Sequence, residues 1–378
     1  MQLVLHAIIN LFLRLQKHMY KYMRPNLILL IALWAHTGTV SAQAPKYSNE
    51  FLAIGVGSQA LGMGNAVSST VSDITAGYWN PAGLVHIQNN IQASFMHSEY
   101  FAGIAKYDYG AISKKIDSNS TCAFSVIRFG VDDIPNTTEL INSNGQIDYN
   151  RITTFSAADY AFIGSYARKL KYPGLSFGAN VKVVRRVIGD FANSWGFGLD
   201  AGLQYRKKNF RAGVMLRDIT GTFNAWSYSL SDRTKEIFTQ TGNEIPVNSM
   251  EITLPKIIPG VAYKFGFKKF SATTSLDLAI TTDGKRNVLI KSNLISVDPH
   301  AGVEFDYNKV VFIRAGINNI QEVREQNNII VQTAQPNFGV GVKILNISLD
   351  YALTNVGQQV GLLSHVFTIR ANIDAVRK

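Results

Sequence analysis

Residues Trp195–Tyr205 read WGFGLDAGLQY. The odd positions hold Trp195, Phe197, Leu199, Ala201, Leu203 and Tyr205, and the even ones Gly196, Gly198, Asp200, Gly202 and Gln204. Successive side chains of a strand point to opposite faces, so this stretch predicts a strand with one apolar face and one polar or bare face. The same period runs through Leu175–Val183, Phe338–Ile344 and Ile347–Leu353. In Ala301–Tyr307 the apolar set Ala301, Val303, Phe305 and Tyr307 faces away from His300, Gly302, Glu304 and Asp306. Alternation defines two faces without assigning either to lipid.

Reading outward from these segments gives strands near 91–98, 105–116, 120–130, 154–168, 173–188, 194–206, 209–220, 252–267, 270–282, 293–307, 309–318, 336–344, 346–354 and 362–372. That is about fourteen, many of them as long as a tilted membrane strand requires. Connections sort by side. Tight turns fall at Asp117–Asn119, Lys171-Tyr172, Lys207-Lys208, Lys268-Lys269, Asn308 and Leu345, while the opposite side carries the long connections 131–153, 221–251 and 319–335. Short turns on one side and long loops on the other are the asymmetry of outer-membrane barrels, and a soluble β-sandwich has no reason for it. The expected fold is therefore all-β: a transmembrane antiparallel β-barrel of about fourteen strands over residues 91–378.

Composition agrees. Only 17% of the 378 residues are charged, against 21 Phe, 16 Tyr and 30 Gly, which suits a wall presenting apolar side chains on alternate positions. The net charge of +11 includes Arg14, Lys17, Lys21 and Arg24 of the leader. Much of the rest sits in turns such as Arg206-Lys207-Lys208, with no basic patch interleaved with aromatics, so nucleic acid is not an expected partner. Cys122 is the only cysteine, which excludes an internal disulfide and any multi-cysteine metal site.

The start of the chain reads as an export signal, residues 1–42. Arg24 precedes the apolar run Leu27–Trp34, and Val40-Ser41-Ala42 offers small residues for cleavage before Gln43. A second apolar run, Leu3–Leu13, suggests that translation begins at Met19 or Met23. Neither run is long enough for a spanning helix, and no comparable run follows Ala42. An exported barrel of this kind resides in the outer membrane of the cell, among its lipids.

Residues 51–84, FLAIGVGSQALGMGNAVSSTVSDITAGYWNPAGL, do not alternate. The glycines lack the spacing of a dinucleotide fingerprint, and no Lys-Ser/Thr follows for a phosphate loop. Ala66–Ala76 is expected to form a short helix, and Asn80-Pro81 forces an extended or turned backbone before Gly83. The run with Gly62 and Gly64, then Asp73, Trp79, Asn80, Pro81 and Gly83, resembles the N-terminal signature of FadL-type barrels, closest to the PorV/PorQ family of Bacteroidetes. The strand count and Phe223-Asn224-Ala225-Trp226 in the 221–251 connection extend the likeness over the mature chain.

That resemblance implies that residues 43–90 form a plug or hatch entering the barrel from the periplasmic side. It also implies two functions. PorV-type proteins serve type IX protein secretion, with the translocon and secreted cargo as partners, and that is the first expectation here. FadL-type proteins pass hydrophobic small molecules, which would occupy the lumen.

No catalytic constellation is expected. His97 and Ser98 are strand neighbours on opposite faces, so they cannot pair as base and nucleophile. His86, His97, His300 and His365 lack metal-ligand spacing and are expected at the lumen or an interface. No cofactor is implied. At least some of Arg185-Arg186, Arg314 and Arg370 are expected to face the lumen and pair with Asp200, Glu304, Asp306 or Asp350, since a lipid-facing Arg at mid-membrane costs about 2–4 kcal/mol. Phe223, Trp226 and Tyr228 lie in a long connection that either contacts an outside partner or folds over the barrel mouth.

Overall fold

The computed structural model describes residues 48–141, 145–324, 328–355 and 363–373. The expected signal peptide, residues 1–42, lies outside them, as do residues 43–47. One antiparallel sheet of 17 strands is built from β1 (Ile91–Tyr100), β2 (Ala105–Lys115), β3 (Ser120–Asn136), β4 (Thr153–Lys169), β5 (Leu175–Ile188) and β6 (Ala192–Lys207). It continues through β7 (Phe210–Arg217), β8 (Thr222–Tyr228), β9 (Ser249–Thr253), β10 (Lys256–Phe267), β11 (Phe270–Thr281) and β12 (Ile290–Lys291). The last strands are β13 (Ser296–Tyr307), β14 (Val311–Arg324), β15 (Ile330–Ile344), β16 (Ile347–Thr354) and β17 (Ser364–Ile373).

Fourteen of these strands make the wall of a closed barrel. Strand β17 returns to β1 in a ladder from Ile91–Ile373 to Ser98–Val366, so the sheet closes on itself. Strand β8 pairs with β6 and β9, continuing the wall beyond β7 and β10, while β12 is a two-residue ladder on β13. Two-residue turns at Lys208-Asn209, Lys268-Lys269 and Leu345-Asn346 each put their first residue at positive φ, the geometry that matches strand twist in tight hairpins.

The wall is inside-out compared with a soluble protein. In β6, Trp195 is 55% exposed and Phe197 40%, whereas Ser194, Asp200 and Gln204 are buried. Phe95, Phe124, Val181, Leu276, Phe305, Ile313, Val340 and Phe367 likewise face outward. A soluble sandwich would bury this set. An apolar belt around a closed barrel needs hydrocarbon as its solvent.

Three connections expected as long loops are partly strand. Strand β3 runs to Asn136, β8 takes up Thr222–Tyr228, and β14 and β15 occupy much of 319–335. Alternation fades there because the ladders rise beyond the apolar belt and neither face must be uniformly apolar.

Residues 48–90 lie inside the barrel. They form short helical turns at Glu50–Ala53, Ser58–Gly62, Ala76–Trp79 and Pro81–His86. The helix expected over Ala66–Ala76 does not form: only its last residue begins one. Serine, threonine and aspartate side chains there compete for backbone groups, and the backbone itself bonds the wall, with Ser68 N–H donating to Asp277 at 2.8 Å. Phe51, Leu52, Val56, Ile74, Tyr78 and Leu84 pack chiefly against Met96, Tyr107, Tyr109, Ile127 and Val184 of β1–β5.

Candidate binding site in the barrel lumen

The inner segment touches the wall backbone to backbone. A Cβ on Gly62 would lie 2.9 Å from Gly339 Cα, and one on Gly64, at φ +60°, would lie 2.6 Å from Ile317 N. On the wall, a Cβ on Gly178 would meet Pro81, one on Gly213 Ser68, and one on Gly302 Met63, each within 2.5 Å. The bare face of the alternating strands is thus the face against which a second stretch of backbone is laid.

The remaining signature residues hold that contact in place. Trp79 Nε1 donates to Val56 O at 2.8 Å. Asn80 Nδ2 donates to Ser68 O at 2.8 Å and to Leu203 O at 3.1 Å, and its oxygen accepts from Ala82 N at 3.2 Å. Asn80 is extended (φ −164°, ψ 103°), as the residue before a proline tends to be, and Pro81 opens the following helical turn. Gly83 passes where a Cβ would be 2.5 Å from Val71 O. Asp73 accepts from Thr75 N at 2.8 Å and pairs with Arg370 of β17.

Lumen charges form compensated networks. Arg314 pairs with Glu304 and Asp350, both at 2.7 Å, and Arg370 lies 3.7 Å from Asp350. Lys182 lies 3.2 Å from Asp200 and 2.5 Å from Asp218. Arg217 donates to Tyr78 O at 2.9 Å with its guanidinium 4.4 Å from the Tyr78 ring centroid. Arg186 pairs with Asp159 at 2.8 Å, whereas Arg185 faces outward and covers Trp195 at 4.8 Å.

Two cavities flank the inner segment. On the loop side a cavity of about 450 Å³ is lined by Ile54 and Asn65 of the segment, Asp298 and His300 of β13, and Asn318 and Asn319 of β14. Here the wall itself is interrupted. The β13–β14 ladder runs from Tyr307–Val311 to Ala301–Ile317 and stops, although β13 begins at Ser296 and β14 continues to Arg324. Strand β14 shifts register against β15 between Asn318 and Gln321, and Asn319 is at positive φ. Pro299, which has no N–H for a ladder, stands opposite Leu278 of β11 in the stretch that β14 leaves unpaired, while β12 takes Ser296 and Val297. Above the break, Asn287 of the 282–295 connection donates to Glu322 O at 2.8 Å.

On the turn side a cavity of about 510 Å³ contains Asp73, Arg206, Arg211, Glu304 and Arg370. His86 opens on it. Burial, then the nearby cations Arg206, Lys169 and Arg211, hold the His86 imidazole down to about 3.

The residues expected to meet an outside partner divide. Phe223 faces outward from β8, 42% exposed, but Trp226 is buried, with Arg186 5.0 Å above its ring and Tyr228 stacked at 6.1 Å. They belong to a strand rather than an exposed loop, because β6 extends far enough to pair with them. His97 and His365 face outward and His300 faces the lumen. Nothing local in the sequence marks Asp298 or Asn318-Asn319 as lining a cavity. Pro299 within an otherwise regular strand was the available signal.

No family model matches this sequence, and no curated protein matches it. Solved structures do. The toluene transporter TbuX of Ralstonia pickettii is similar with a TM-score of 0.52 at 13% identity, over 84% of this chain and 98% of that one. The monoaromatic hydrocarbon channel CymD gives 0.53 at 12% identity, over 87% and 100%. A Pseudomonas aeruginosa FadL homologue gives 0.50 at 12% identity, over 84% and 97%. At identities this low the likeness shows the fold alone: a closed 14-strand antiparallel barrel like those of the FadL-like structures.

Proposed function

We propose that this protein is a non-enzymatic, FadL-like passage for small hydrophobic molecules across the outer membrane, with residues 43–90 as its plug. The observation that carries the reading is the end of the β13–β14 ladder at Ala301–Ile317, beside the loop-side cavity lined by Asp298, His300, Asn318 and Asn319. A straight path to the turn side meets the inner segment where its backbone touches the wall at Gly178, Gly213, Gly302 and Gly339. A solute entering from the loops is thereby directed sideways. Only a molecule with a largely apolar surface gains by leaving the lumen into hydrocarbon. TbuX and CymD, which share the fold, are named for toluene and for monoaromatic hydrocarbons. The test compares uptake of radiolabelled toluene by cells expressing the protein and by cells lacking it. Faster uptake with the protein is expected, and equal rates would refute the passage.

A second reading, a PorV-like component or accessory of type IX secretion, draws on the outer wall. His97 Nδ1 lies 2.6 Å from Asp108, Arg128 is 3.7 Å from Asp108 and 3.2 Å from Asp132, all facing outward from β1–β3. Such a row suits the polar face of a protein partner better than lipid tails. Mild-detergent purification from the native membrane tests it: co-purification of a very large translocon subunit or secreted cargo supports this reading, and a barrel isolated alone removes it.

A further inference from the structure

Resting on the lateral-passage reading, we infer that the loop-side cavity binds the hydrogen-bond-donating head of a small amphiphile, of the phenol or alcohol class, whose apolar part lies in the β13–β14 break.

Three buried acceptor atoms on the cavity wall stand open. His300 Nε2 lies 3.0 Å from Asp298 Oδ2, so the ring N–H is directed to the carboxylate and Nδ1 keeps its lone pair. His300 Nδ1, Asp298 Oδ1 and Asn65 Oδ1 are all buried without a hydrogen-bond partner among the described residues. They come from two places that the sequence does not connect, the turn after the Ser58–Gly62 helix and the stretch of β13 beyond its ladder with β14, and they line one cavity. Buried acceptors are ordinarily satisfied, so a cluster of three calls for donors from whatever occupies the space. A hydrocarbon such as toluene offers none.

Charge narrows the class further. A carboxylate entering beside Asp298 would meet like charge at short range. Arg286, at the cavity rim, is already engaged by Asp283 and Glu50. The one cation lining the cavity with no ion pair among the described residues is Lys256, on β10 and separated from β13 by β11. A neutral hydroxyl satisfies the acceptors without that conflict. The break then fits the rest of such a molecule. Asn318 and Asn319 are consecutive residues that both line the cavity, because the register shift in β14 turns two neighbours to one side, and the outer rim is apolar at Val297, Ala301 and Ile317. A head held inside and an apolar tail outside is the arrangement this rim offers.

Three ligands of one ring size separate the possibilities: 4-methylphenol, toluene and 4-methylbenzoate, titrated calorimetrically into the purified full-length protein in detergent. The phenol is expected to bind at least ten-fold more tightly than toluene, with the carboxylate weakest. Asp298→Ala and His300→Ala should each erase the preference while leaving toluene unchanged, with heat-modifiable migration on a gel confirming a folded barrel. If a variant fails to fold, the three-ligand comparison on the unaltered protein decides alone. Equal binding of phenol and toluene, or no binding of either, overturns head recognition, whereas the passage itself stands or falls on cellular toluene uptake. Preference for the carboxylate overturns the inference and reassigns the cavity to Lys256.

Discussion

The side-chain oxygen of Asn80 fills the space beside Gly202 that a side chain would need: a Cβ there would lie 2.1 Å from Asn80 Oδ1. An asparagine in the inner segment and a glycine in the wall, far apart in sequence, are therefore one contact. It explains why an apolar strand such as WGFGLDAGLQY leaves part of its second face bare.

Gly202→Ala should displace Asn80 and lower stability by about 1–3 kcal/mol, the usual cost of overpacking. Gly110→Ala is the control, since a Cβ there meets nothing within 4 Å. Urea unfolding of the refolded barrel measures both, and an unchanged midpoint for Gly202→Ala would mean that Asn80 is not seated as described.

Asp73→Asn keeps the acceptor for Thr75 but removes the charge facing Arg370. The expected loss is about 1.5–3 kcal/mol, the range for a hydrogen bond to a charged group. The inner segment should also loosen, so that chymotrypsin cuts faster at Tyr78 and Trp79, both buried in the intact barrel. Unchanged cleavage would show that the segment is held without this pair.

Backbone amides at Asp298, His300 and 318–320 should exchange with deuterium faster than those at 301–307 and 311–317, where the β13–β14 ladder is continuous. Uniform protection along both strands in lipid would mean that the break is closed in the membrane, and the lateral passage would lose its opening.

His86 gives a pH dependence with a definite sign. Its imidazole is held at about 3 in the folded barrel, against about 6.5 in an unfolded chain. Its neutral form contributes fully above pH ~6.5, and stability falls as the pH drops toward 3, because only the unfolded chain takes up the proton. His86→Gln should flatten the stability curve between about pH 6 and pH 4. A variant whose curve matches the parent would show that His86 is solvated after all.

Much of this protein is legible in the sequence because a β-barrel is built from a local rule. Period two in segments such as Leu175–Val183, and the sorting of tight turns from long connections, carry the strand count and the closed antiparallel wall. The pairings of Arg314 with Glu304 and Asp350 follow from the need to compensate charge in a wall that faces lipid. Other features are not local. The sequence leaves Trp226 open to an outside partner or to the barrel mouth, until β6 is seen to extend far enough to pair with its strand. His300 reads as a scattered histidine until the fold sets it beside Asp298 and across a cavity from Asn65.

Sequence alone determined the alternation, the strands and the glycines of the bare face, since each depends on a residue and its neighbours. Only the tertiary structure decided which face meets lipid, because alternation is the same whether the apolar side points in or out. It also decided where the wall parts, because the end of the Ala301–Ile317 ladder depends on how two strands register around a filled lumen, a property of contacts between distant residues.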